Sequence, residues 1–137
     1  MTKLGMAGTA LLRVARLALL AGLAHSVSAA EYFVSPSGND GNNGTSVSSP
    51  WRTIAKANGV LVAGDTLRMR GGEYVNDPIA PKNSGKSGAP ITYSAYERER
   101  PVLTGRTVLD LKHAIVLNRV SYIVIEGIVV DGKSPSP

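Results

Sequence analysis

The sequence has no cysteine, one tryptophan, one phenylalanine and two histidines in 137 residues. The missing cysteines exclude a disulfide framework and any thiolate-held metal. Long apolar runs are missing too. The cleanest, residues 17–24 (LALLAGLA), is eight residues long, against about 20 needed to cross a hydrocarbon core. Arg13 and Arg16 interrupt any longer span. A true charge excess is also lacking. The formal +5 includes Lys3, Arg13 and Arg16, all ahead of Ala30 in a stretch without acids, and the remainder carries only +2. That balance gives no clustered basic face and argues against nucleic acid as a partner.

What is present begins with an export signal. A positive start leads into the short apolar run, and the small residues Val27-Ser28-Ala29-Ala30 follow. This order is a secretory signal peptide over residues 1–30, with cleavage after Ala29 or Ala30. It predicts a secreted or periplasmic product with no membrane span once the signal is removed. The rest of the chain, from Glu31 to Pro137, suffices for one domain with a modest core.

Residues 31–34 are a short β-prone run stopped by Ser35-Pro36, and residues 35–50 (SPSGNDGNNGTSVSSP) are almost pure turn chemistry. Glycines there permit positive φ, and Asn and Asp side chains bond their own backbone. We read this stretch as an ordered loop, because a helix start follows it. Ser48 or Ser49 is the expected cap, with Pro50 in the first turn. Trp51, Ile54, Ala55, Leu61 and Val62 are the expected apolar face. Gly59 weakens the helix by about 1 kcal/mol relative to alanine, and Ala63-Gly64-Asp65 ends it.

Everything after the helix reads as β. Apolar clusters centred on Leu67, Ile91 and Ile115 recur at one constant spacing, and a second series at Ile79, Val102 and Ile125 recurs at nearly the same one. Repeats of about 20 to 50 residues signal stacked, solenoid architectures. The β-branched runs Ile123-Val124-Ile125 and Ile128-Val129-Val130, joined by Glu126-Gly127 and closed by Asp131-Gly132, suit short strands with glycine corners. An antiparallel sandwich is the competing architecture, and the repeat favours the solenoid.

Several stretches then resemble one family. They are residues 32–56 (YFVSPSGNDGNNGTSVSSPWRTIAK), 63–74 (AGDTLRMRGGEY), 88–96 (GAPITYSAY) and 122–127 (YIVIEG). Together these resemble the opening segment of secreted right-handed parallel β-helix proteins, a group including pectate lyases, chondroitinase B and alginate lyases. The resemblance implies an all-β, right-handed parallel β-helix of two to three coils with a short N-terminal capping α-helix. Residues 31–65 would be strand, loop and capping helix, residues 66–132 the first coils, and residues 133–137 a tail. It also implies that catalytic positions lie on middle and later coils, beyond Pro137. The chain is then the N-terminal piece of a protein that acts on acidic polysaccharide by β-elimination, and is itself inactive. The rival reading is a small secreted carbohydrate-binding or adhesion module. The far end would be uncapped and able to self-associate.

Elimination on uronic acids needs a base and a neutraliser for the carboxylate, often Ca²⁺ or Arg. Arg98, Arg100, Arg106, Lys112, His113, Arg119 and Lys133 are the right types, but no constellation with paired acids is visible, and each reads as a solvated surface residue. The loop Asp40-Gly41-Asn42-Asn43-Gly44 superficially resembles a calcium loop but has one carboxylate and no distal Glu, so it reads as a turn. Asn43-Gly44-Thr45 is a formal glycosylation sequon. Glu126 and Asp131 would need metal partners not visible in the sequence. Gly71, Gly72, Gly127 and Gly132 read as corner glycines, Tyr93 as a core residue, and Tyr96 as either core or sugar-stacking. His25 lies in the signal and has no functional reading. No catalytic, cofactor or metal residue is assigned, no cofactor is evident, and Ca²⁺ is an expectation only for a full-length relative.

Overall fold

The computed structural model describes residues 28–105 and 113–132. Residues 1–27, with most of the expected signal, and the candidates Arg106, Lys112 and Lys133 lie outside the described residues.

Among the described residues, seven short strands and one helix follow in order. These are β1 (Glu31–Val34), α1 (Ile54–Val60), β2 (Thr66–Met69), β3 (Gly72–Val75), β4 (Ile91–Ala95), β5 (Pro101–Thr104), β6 (Ile123–Glu126) and β7 (Val129–Asp131). All pairings between these strands are parallel. One sheet runs β1-β2-β4-β6 and the other β3-β5-β7, and an isolated bridge between Ile79 and Ile115 marks a third face. Each circuit passes through both sheets, so the chain is a parallel β-helix. A parallel sheet needs a crossover between neighbouring strands. Here each crossover is the rest of a coil.

Alternation within the strands decides what points inward. Leu67 and Met69 on β2, and Ile91 and Tyr93 on β4, are fully buried, whereas Thr66, Arg68 and Thr92 are not. Stacking then places like side chains in columns: Tyr32, Leu67, Tyr93 and Ile125 share one inward row. The columns differ from the regular repeat read in the sequence. Leu67 lies beside Tyr93, not Ile91, and Ile91 lies beside Ile123, not Ile115. The turns between strands vary in length, so the coils have no common period. The fold class is as expected, but the cluster around Ile115 forms an isolated bridge to Ile79 instead of a strand, and Gly72, read as a corner, opens β3.

The cap differs from expectation at its start. Thr53, not Ser48 or Ser49, is the N-cap: its Oγ1 accepts the Lys56 N–H at 3.1 Å. Trp51 precedes the helix and bridges to Val34 as a short parallel partner. The Trp51 N–H donates to Phe33 O at 2.9 Å and the Ser35 N–H to Trp51 O at 2.8 Å. The returning loop therefore satisfies the outer edge of β1, which would otherwise be a template for another strand. The helix covers the open interior with Ile54 and Ala57, while Ala55 and Val62 are exposed. Trp51 is 3% exposed and stacks on Tyr32 with centroids 4.8 Å apart. Gly44 lies against the indole at φ +71°, and any Cβ there would overlap the ring.

Two of the four expected corner glycines, Gly72 (φ +124°) and Gly127 (φ +70°), adopt left-handed backbone; Gly71 and Gly132 do not. Other corners use Asn76, Glu97, Arg119 and Tyr122 at φ of 50–55°.

Candidate functional site

Two surfaces combine polar groups in a fixed arrangement. The first is a cleft of about 520 Å³ between Asp40, Arg52 and Thr53 of the cap and Glu73, Val75 and Asp77 on and after β3. Its carboxylates are committed to the fold. Asp40 accepts the Arg52 and Thr53 N–H groups at 2.8 and 2.9 Å and the Thr53 hydroxyl at 2.7 Å. Asp77 accepts the Ile54 and Ala55 N–H groups at 2.6 and 3.0 Å. Between them they satisfy the Thr53, Ile54 and Ala55 amides, donors that the start of a helix leaves unpaired, and the Arg52 amide just ahead of it.

The electrostatics follow from these bonds. Burial works to raise the Asp40 carboxyl, but the Thr53 and Arg52 hydrogen bonds outweigh it and hold Asp40 below the usual range. At Asp77 burial prevails over the Ile54 and Ala55 amides, and the Asp40 charge adds to it, so Asp77 is raised. The buried Tyr74 hydroxyl is raised as well, by burial first and then by the Asp77 and Glu99 charges. It is bonded to the Arg70 and Val34 carbonyls at 2.8 and 3.1 Å, which fixes it as a structural group.

The second surface is the outer face of the sheet containing β2 and β4. Its outward rows are Glu31, Thr66, Thr92 and Val124, and Phe33, Arg68, Ser94 and Glu126. Arg68 reaches along the face in both directions. Its Nε donates to Glu31 Oε1 at 2.6 Å and its Nη1 to Ser94 Oγ at 2.9 Å. Just beyond β2, Arg70 Nε donates to both Glu99 oxygens, at 3.0 and 2.8 Å, and its guanidinium lies 5.1 Å from the Tyr96 ring centroid. Glu99 also accepts the Gly71 N–H at 2.7 Å. The Arg70 and Gly71 bonds hold Glu99 below the ordinary carboxylate value, and the same pair raises Arg70. Tyr96 meets Phe33 edge-on at 5.8 Å. These groups present oriented hydrogen-bond donors and acceptors, the chemistry that sugar hydroxyls and carboxylates require.

The residues weighed from sequence do not converge. Arg98, Arg100, His113 and Arg119 are exposed and scattered over different turns. Asp40 serves backbone amides. Asn43 is exposed, with Oδ1 accepting the Thr45 N–H and the Ser49 hydroxyl. Tyr93 is buried in the core, and Tyr96 is on the outer face. Among the described residues no three of His, Asp and Glu come close enough to hold a metal ion. Sequence reading missed Asp77, Arg68, Arg70 and Glu99. Arg68 was findable, as the charged position between two apolar ones in a strand.

Comparison with known proteins fits this geometry. The family model described as Pel9A-like, right handed beta helix region matches residues 32–136. The chain belongs to this family. The Bacillus subtilis protein YwoF is 36% identical over 107 residues, which cover 76% of this chain and 22% of the relative. Pectate lyase PEL9 of Emericella nidulans is 36% identical over 88 residues, 64% of this chain and 21% of the relative. Lacto-N-biosidase of Bifidobacterium longum is 35% identical over 86 residues, 56% of this chain and 5% of the relative. A rhamnogalacturonan lyase structure superposes with a TM-score of 0.59 at 27% identity, over 74% of this chain and 28% of that one. The chain thus spans about a fifth of the curated relatives at the head of these comparisons.

Proposed function

We propose that these are the opening coils of an exported, polysaccharide-active β-helix protein that cleaves acidic glycans by β-elimination. In this reading the outer face bearing Arg68, Arg70 and Tyr96 forms one end of the glycan-binding surface. The observation that carries it is the pair of outward arginines, each fixed by a glutamate on a sheet of the Pel9A-like family. The similarity to a pectate lyase and a rhamnogalacturonan lyase supports the glycan class. In this reading the base and the carboxylate neutraliser are held on further coils of the full-length protein, where a fixed array can position them. Similarity to a lacto-N-biosidase favours hydrolysis as the second reading. The test is product analysis of a full-length β-helix protein carrying these coils, supplied with pectate, alginate or chondroitin sulfate. Unsaturated oligosaccharides are expected. Saturated products alone would replace elimination with hydrolysis.

A further inference from the structure

Asp65, between α1 and β2, is 2% exposed. Its carboxylate accepts the Val62 N–H on Oδ2 at 2.9 Å and the Ala30 N–H on Oδ1 at 3.0 Å. The charged side chains on surrounding elements are Glu31 on β1, Arg68 on β2, Lys56 on α1 and Lys86 ahead of β4. Among the described residues none of them bonds to Asp65; Arg68 is paired with Glu31. A buried carboxylate served only by neutral donors is costly, and what would relieve the cost is a positive charge.

Ala30 holds the nitrogen best placed to supply that charge. Its carbonyl is fixed by the Thr66 N–H at 2.9 Å, at the start of the β1–β2 ladder. The fold from Ala30 onward therefore sets where its nitrogen sits. Ser28 and Ala29, just before it, are exposed.

We propose that the fold is made for a chain beginning at Ala30, whose α-ammonium pairs with the buried Asp65 carboxylate. This rests on the export reading above and selects between the two cleavage positions open in the sequence. In the step, a signal peptidase adds water across the Ala29–Ala30 peptide bond. Ala29 leaves with the new carboxyl group, and Ala30 keeps the amine, which takes up a proton at neutral pH. One neutral N–H donor thereby becomes a charged group with three, and hydrogen bonds between ionised partners are the stronger kind. Val27 and Ala29 satisfy the small-residue pattern for this cut, as Ser28 and Ala30 do for the next one. Cleavage after Ala30, however, would remove the donor and leave Asp65 Oδ1 without its partner.

The experiment is secretion of the full chain from a bacterial host, intact-mass measurement, and thermal melting against pH beside the unprocessed chain. The expected product starts at Ala30 and melts higher than the unprocessed chain at neutral pH. Pairing raises the folded-state pKa of the amine above its ordinary value of about 7.7–8.0. The added stability is therefore present below that ordinary value and is lost as pH rises through the raised one. Asp65→Asn should abolish this pH dependence. If that variant does not fold, the cyanate reactivity of the wild-type α-amine against pH reads the same raised value. A product starting at Glu31, or an Ala30 amine titrating at its ordinary value, overturns the proposal and leaves export standing. An exported chain retaining Met1 overturns the export reading as well.

Discussion

Tyr93 on β4 donates its hydroxyl to Asn58 Oδ1 on α1 at 3.0 Å, with both residues buried. The same oxygen accepts the Ala80 N–H at 3.2 Å, and Asn58 Nδ2 donates to Pro78 O at 3.0 Å. One side chain thus ties the cap to the first sheet and to the segment around the third face. Burying an amide is unfavourable unless its hydrogen bonds are made, and here each partner lies beyond the helix itself.

Asn58→Ala should cost about 3 kcal/mol, because it strands a hydroxyl, an amide and a carbonyl in the interior. Tyr93→Phe should cost about 1 kcal/mol, since Oδ1 keeps its Ala80 partner. Urea unfolding of both variants checks the order. Equal losses would show that Asn58 acts through Tyr93 alone.

The edge of β1 depends on Trp51. Its ring stacks on Tyr32, and its Nε1–H donates to Asn42 O at 2.9 Å. Trp51→Ala should lose about 3–5 kcal/mol, as buried tryptophan truncations do. Gly44→Ala should lose about 1–3 kcal/mol, because a side chain at φ +71° is strained and would overlap the indole. Denaturant midpoints test both. Wild-type stability in either variant would remove the loop from the capping role.

These long-range ties explain what the sequence could and could not disclose. The strands at Leu67, Ile91, Ile123 and Val129 were legible because apolar residues gather there in short runs, rich in β-branched residues in the last two. The stacking register was not, since it depends on turn lengths that apolar spacing does not report. The helix start was misplaced because Trp51 looks helical by spacing yet is held in a strand bridge by Phe33 and Ser35. Asp77 carries no local signal at all. It caps α1 from the far end of β3, and only the folded coil brings it there. The outer-face arginines are ordinary charges in the sequence, and their orientation comes from Glu31 on β1 and Glu99 beyond β4.

Asp40 should make the cap acid-sensitive. Its folded pKa is lowered, so its contribution is present above the ordinary carboxylate range and is lost as pH falls through the folded value. Asp40→Ala should cost about 1 kcal/mol at neutral pH, the usual value of a lost helix-start acceptor. The variant and wild type should converge in acid. Melting curves taken down a pH series read this directly, and a constant gap at all pH values would assign the loss to packing instead.

The far side of the stack leads to the last prediction. β6 and β7 are the outermost strands of their sheets. Tyr122, Val124 and Val130 are exposed there, and so are Ile115 and Leu117 on the same coil. Ile123, Ile125 and Ile128 are only partly buried against the core. Among the described residues no strand pairs with the outer edge of β6 or β7, and strand edges beside apolar side chains invite pairing with another β-structure. These edges should make the isolated chain scatter light as a species larger than a monomer, and on the proposed reading it should release no unsaturated product from pectate, alginate or chondroitin sulfate. Replacing Val124 and Val130 together with lysine should return it to a monomer, because edge lysines oppose strand pairing. Neither side chain is fully buried, so the double variant should keep its far-UV circular dichroism. A wild-type chain that is monodisperse and monomeric would show that this edge is closed by other means, and turnover of any of the three polymers would make these coils an enzyme in their own right.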